Sequence, residues 1–126
     1  MSTRTSPWPH GIPCWADVSA TDVRASGAFY TAVLGWAVPE PDEQWGGSVT
    51  AEADGRMAAG IGPLQDGGPA AWTLYLATDD VEGLTARAAE HGGTVLAPVT
   101  DVGPLGRMAV LADPSGAPFG CGRPGR

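Results

Sequence analysis

A small set of residues carries side chains suited to holding a small molecule: Trp15, Asp17, Ser48, Thr50, Glu52, Met57, Thr73, Tyr75 and Met108. Aromatic faces stack on planar ligands, each pair adding about 0.5–1.5 kcal/mol beyond area burial. Methionine thioethers fill irregular gaps. Hydroxyls and a carboxylate can orient a polar edge. Such a set suits an apolar or aromatic metabolite. Trp and Met serve equally well as plain core, whereas strand phase gives Trp15 and Tyr75 the stronger claim to a binding surface. Asp17 has three readings: solvated at a cleft mouth, hydrogen-bonded to a ligand donor, or acting as a general base. No combination of base, nucleophile and oxyanion donors is visible, so binding without turnover is the first expectation. The alternative is an isomerase, lyase or cyclase in secondary metabolism with Asp17, Glu52 or Tyr75 as acid/base.

The elements that position these residues can be read from hydrophobic periodicity. Residues 13–19 alternate, with Cys14, Ala16 and Val18 on one side and Trp15, Asp17 and Ser19 on the other, as in a strand with two different faces. Thr21 is the expected helix cap. The apolar spacing then becomes helical through Val23, Tyr30, Val33 and Leu34, with Ser26 and Gly27 small enough for close packing and Gly35 as the C-terminal cap. Trp36 to Val38 reads as a short strand ended by Pro39 and Pro41. Trp45 to Ala53 reads as another, turned at Asp54-Gly55 into a partner over Arg56 to Ile61. Gly62 to Ala70 has the composition of a linker.

The order then recurs. Ala71 to Ala77 is a strand, and Asp79 with Glu82 resembles a capping box. Val81, Leu84 and Ala88 give a buried stripe, and His91-Gly92-Gly93 ends the helix. Thr94 to Val99, Gly106 to Ala112 and Ala117 to Cys121 are further strands, the last two joined by the turn Asp113-Pro114-Ser115-Gly116. Two words repeat in the same order. Trp, four residues, then Ala-Thr-Asp occurs from Trp15 and again from Trp72, and Gly-Arg-Met-Ala occurs from Gly55 and again from Gly106. By strand phase Leu74 and Leu76 face the helix, so Thr73 rather than Trp72 matches Trp15.

The fold class expected is α+β: two tandem βαβββ modules forming a curved, mostly antiparallel sheet of about eight strands around a cleft. Residues 1–126 make a single domain, with module one at about 12–62, a linker at about 63–70 and module two at about 71–122.

Composition excludes several classes. The net charge is −7 and all seven basic residues are Arg, three of them near the termini, so nucleic acid and anionic membranes are poor partners. No apolar run is long enough for a membrane span, the first residues lack the apolar core of a signal peptide, and a cytoplasmic location is expected. Cys14 and Cys121 are expected to be two small buried hydrophobes. His10 and His91 are expected at the surface, as are Arg56 and Arg107 on their hairpins.

Phe29-Tyr30 followed by Leu34-Gly35-Trp36, Asp79-Asp80-Val81, Gly92-Gly93 and Asp113-Pro114 with Gly116, set in paired modules, resemble the vicinal oxygen chelate superfamily of glyoxalase, bleomycin-resistance and extradiol dioxygenase proteins. The resemblance spans roughly residues 12–122. It implies a cleft that in metal-dependent members holds a divalent ion through His, Gln or Glu on the first and last strand of each module. Here those places carry Trp15, Thr73, a stretch from Met57 to Leu64 without His, Glu, Gln or Asp, and Gly120. Absence of the metal chemistry, and no other cofactor, are therefore expected. Metal-free bleomycin-resistance-like members sequester their ligand, which implies self-resistance. The resemblance also implies a homodimer, and the 62–70 segment permits a swapped one.

Overall fold

A computed structural model describes residues 9–42, 46–64, 69–101 and 106–122. The expected strand start at Trp45, the centre of the 62–70 linker, the first residues of the lead-in and the C-terminal arginines lie outside them. The described chain is α+β, with seven strands and two helices, and it divides into two compact units. One is Ala16–Trp72. The other joins the described residues up to Trp15 to those from Thr73 onward.

In the first of these units, β1 (Pro13–Ala20) runs parallel to β3 (Arg56–Pro63), Asp17 opposite Gly60 and Val18 opposite Ile61. β2 (Val49–Ala53) lies antiparallel to β3. Their turn is tight because Asp54 and Gly55 both take positive φ, 54° and 78°, the pair of angles a two-residue hairpin demands. Helix α1 (Val23–Leu34) starts one residue later than its expected cap. Asp22, not Thr21, accepts from the Ala25 N–H, at 3.1 Å. Gly35 ends it at φ 75° with its N–H on the Thr31 carbonyl. Gly27 is buried, and a Cβ there would stand 2.9 Å from Val38 Cγ1, so a residue without a side chain sets how closely the helix seats. The core is Val18, Ala20, Val49, Ala51 and Ile61, with Val23, Tyr30, Trp36 and Val38 packed against it.

One expectation fails here: Trp36 to Val38 is no strand. A single bridge joins Ala37 to Glu52, because Pro39 and Pro41 have no N–H with which to extend a ladder. The apolar stripe of α1 is narrower than its spacing implies, with Val33 60% and Leu34 55% exposed.

The second unit holds most of β4 (Ala71–Ala77), then α2 (Val81–Glu90), β5 (Thr94–Asp101), β6 (Arg107–Ala112) and β7 (Pro118–Gly122). β6 is antiparallel to both β5 and β7, and β7 is parallel to β4. The start of β1 belongs here too: Gly11 donates to the Ala77 carbonyl and Ala77 donates to that of Ile12. The cap of α2 is Asp80 rather than Asp79. Its carboxylate accepts from the Gly83 N–H at 3.0 Å, while Thr78 Oγ1 accepts from the Asp80 N–H. Glu82 does not close a capping box; it pairs with the Arg107 guanidinium. Val81, Ala109, Leu111 and Cys121 form the core under α2, flanked by Leu84, Ala88, Val99 and Phe119. Fully burying a side chain such as Leu111 contributes about 1.5–3 kcal/mol. Leu74 faces no core and is 49% exposed, against the expectation that it meets the helix.

Candidate functional site

Trp15 of β1 and Tyr75 of β4 are both buried aromatic residues. With Met108 of β6 they make a separate buried cluster in the second unit, 7%, 7% and 6% exposed, with Cys14 and Val110 packed around it. Three of the expected site residues thus come together. Tyr75 is opposite Gly120 on the neighbouring parallel strand. A Cβ at Gly120 would fall 2.1 Å from Tyr75 Cδ2, so the ring occupies the room left by the missing side chain. Cys14 Sγ donates to the Gly122 carbonyl at 3.8 Å.

One polar atom of the cluster stands out. Trp15 Nε1 is buried and makes no hydrogen bond among the described residues. Trp72 differs: its Nε1 donates to the Tyr30 hydroxyl at 3.1 Å.

The remaining expected residues lie elsewhere. Thr50 is half-buried and Glu52 exposed on β2; together they line a recess of about 320 Å³ with Ala37, Val38 and Pro39. Met57, opposite Glu52 on β3, is 40% exposed. Ser48 is exposed before β2, with its hydroxyl against Gly62. Asp17 and Thr73 are half-buried. His10, His91 and Arg56 are exposed, as expected.

Sequence reasoning missed two features of the first unit. A groove of about 380 Å³ runs between α1 and residues 38–41, floored by Gly27 and Val38 and crossed by the Arg24–Glu40 ion pair at 3.1 Å. Its signal was the Ser26-Gly27 pair read only as a packing contact. Tyr30 also stacks with Trp36 and meets Phe29 and Trp72 edge-on, ring centroids 5.2–5.5 Å apart. The Phe29-Tyr30 and Trp36 spacing contained three of its four members.

Burial pushes the Cys121 thiol upward, partly opposed by hydrogen bonds from Thr85 and Ala109, which disfavours the thiolate. Cys14 and Cys121 form no disulfide.

At Trp15, Thr73 and Gly120, three of the places the resemblance assigns to metal ligands, no His, Gln or Glu is present. The Trp15 indole offers an N–H and no lone pair, and the space at Gly120 is filled by the Tyr75 ring. Among the described residues no group of three or more His, Cys, Asp or Glu is placed to hold an ion. None of the described helices is long and apolar enough to cross a membrane.

The α+β fold, seven described strands and two helices, is that of the vicinal oxygen chelate superfamily. Residues 15–121 match the model of the glyoxalase-like domain, and the chain belongs to that family. It is 42% identical over 139 aligned positions to the anthracycline biosynthesis protein DnrV of Streptomyces peucetius, covering 98% of this chain and 50% of that protein. The anthracycline biosynthesis protein DauV of Streptomyces sp. strain C5 is equally similar, 42% with the same coverage. The chain therefore spans about half the length of these relatives. An extradiol ring-cleaving dioxygenase from B. fuscum shares the fold with a TM-score of 0.65 at 23% identity, over 94% of this chain and 34% of that one.

Proposed function

We propose that this protein binds a planar aromatic metabolite of the anthracycline type without a metal ion, through the cluster of Trp15, Tyr75 and Met108. The observation that carries this reading is the cluster of an indole, a phenol ring and a thioether at Trp15, Tyr75 and Met108. Its flat, polarizable faces suit fused rings. The similarity to two proteins named for anthracycline biosynthesis supports the same ligand class. Thr73, half-buried in the same unit, is the further residue proposed for that ligand surface. The binding unit is a homodimer acting in the cytoplasm, where cysteines without a disulfide are at home, and sequestration gives self-resistance.

A second reading is favoured by one observation: those relatives are named for biosynthesis and not for resistance. In it the protein is an isomerase, lyase or cyclase on the same ligand, with Asp17, Glu52 or Tyr75 as acid/base.

Titration of intrinsic tryptophan fluorescence with an anthraquinone, in the presence and absence of EDTA, tests the first reading. Quenching unaffected by chelation, with the compound recovered unchanged by chromatography, supports it. Conversion of the compound, lost in Asp17→Asn, establishes the second reading instead. Binding that disappears with EDTA and returns with added metal overturns metal independence.

A further inference from the structure

We propose that the Trp15 indole N–H is the hydrogen-bond donor to a carbonyl oxygen of the bound aromatic ligand, so that the site selects quinones over plain fused hydrocarbons. The inference rests on the aromatic-ligand reading and goes further by naming the functional group recognised.

Trp15 is 7% exposed and its Nε1 is fully enclosed, with no acceptor among the described residues. A buried donor left unpaired costs about 1–3 kcal/mol, and native structures leave few such groups. The partner must be an acceptor, since an indole can only donate. The hydrophobic residues clustered with it are Tyr75, Met108, Cys14 and Val110. Bringing a carboxylate or phosphate among them would leave a desolvated charge unbalanced. A neutral carbonyl carries no such cost. The same neighbours offer an aromatic face and a thioether, which match the ring that bears a quinone carbonyl. Met108 is unbranched and flexible, a side chain able to re-pack when a ligand enters the cluster. A bound water is the competing acceptor, but a buried water needs two to four polar partners, and this cluster is largely apolar.

The test uses two probes of the same outline and charge, aminomethyl anthraquinone and aminomethyl anthracene, which differ only in the two carbonyls. Their cationic handle suits a chain of net charge −7. Calorimetric titration of the wild type is expected to favour the quinone. Trp15→Phe keeps an aromatic ring and loses the N–H. It is expected to weaken quinone binding about tenfold and to leave the hydrocarbon unchanged. A second measurement needs no variant at Trp15. In protein carrying ¹⁵N-labelled tryptophan, with the other indoles assigned by Trp→Phe changes, the Trp15 Nε1–H resonance moves downfield with the quinone and not with the hydrocarbon. Equal weakening of both probes means stacking alone and overturns the inference, as does an unmoved Trp15 resonance in the quinone complex. Unchanged binding of both probes by Trp15→Phe also overturns it, leaving the aromatic-ligand reading intact. Failure of the quinone to bind the wild type overturns both.

Discussion

The ring of Tyr75 lies directly on Gly120: the two residues are opposite each other on parallel strands, and a Cβ on Gly120 would come within 2.1–2.6 Å of three ring carbons. Gly120→Ala therefore forces the aromatic ring or the strand to move. Overpacking of this kind costs about 1–3 kcal/mol. Urea unfolding of Gly120→Ala should show that loss, and in the Tyr75→Ala background the same change should cost much less. Equal losses in the two backgrounds would mean that the ring does not occupy that space.

Much of this arrangement is legible in the sequence. The repeated words mark where each strand enters a helix, and the turns at Asp54-Gly55 and Asp113 to Gly116 delimit strands because their residues reach positive φ at Asp54, Gly55 and Gly116. Strand phase alone places Trp15 and Tyr75 on the same kind of face. Other features escape because they depend on partners distant in the chain. Nothing local reveals that Tyr75 is in register with Gly120, or that Arg107 takes Glu82 away from a capping box. Spacing shows that α1 has an apolar side but not its width; Gly27 against Val38 makes the closest approach there while Val33 and Leu34 remain outside. Asp22 and Asp80 cap the helices one residue later than expected because the residue before each, Thr21 or Asp79, is also a good capping type.

That displaced cap can be tested at α2. Asp80 accepts the Gly83 N–H, satisfying one of the orphan donors of the first turn. Asp80→Ala should destabilise the protein by about 1 kcal/mol, and Asp80→Asn, which keeps an acceptor oxygen, by less. Thermal unfolding monitored by circular dichroism distinguishes them; a neutral Asp80→Ala would remove the cap from the account.

The aromatic group on α1 offers a separable pair of contributions. Trp72 donates to the Tyr30 hydroxyl and also meets the Tyr30 and Trp36 rings edge-on, at 5.5 and 6.3 Å between centroids. Tyr30→Phe removes only the acceptor, at an exposed site, and should cost about 0.5–1 kcal/mol. Trp72→Ala removes both ring contacts as well and should cost about 1–3 kcal/mol. Near-ultraviolet circular dichroism should change strongly in the second variant and little in the first. The reverse order of stabilities would show that the hydroxyl, not ring packing, holds Trp72.

Asp113 makes stability depend on acid. Its carboxylate accepts from the Ser115 hydroxyl at 2.5 Å and from the Ser115 and Ala117 N–H groups at 2.8 and 3.1 Å. The Ser115 hydroxyl is the largest cause holding the carboxyl below its ordinary value, with the backbone donors adding to it. The folded state consequently binds a proton less readily than the unfolded one. The stabilisation is fully present above the unfolded value, about pH 4, and is lost as pH falls through the lower folded value. Asp113→Asn retains an acceptor oxygen but cannot titrate. The stability gap between wild type and Asp113→Asn should thus be constant near neutrality and close progressively below about pH 4. Urea midpoints across that range measure it. Two curves that stay parallel down to the acid limit would mean that the turn holds the carboxylate no better than water does.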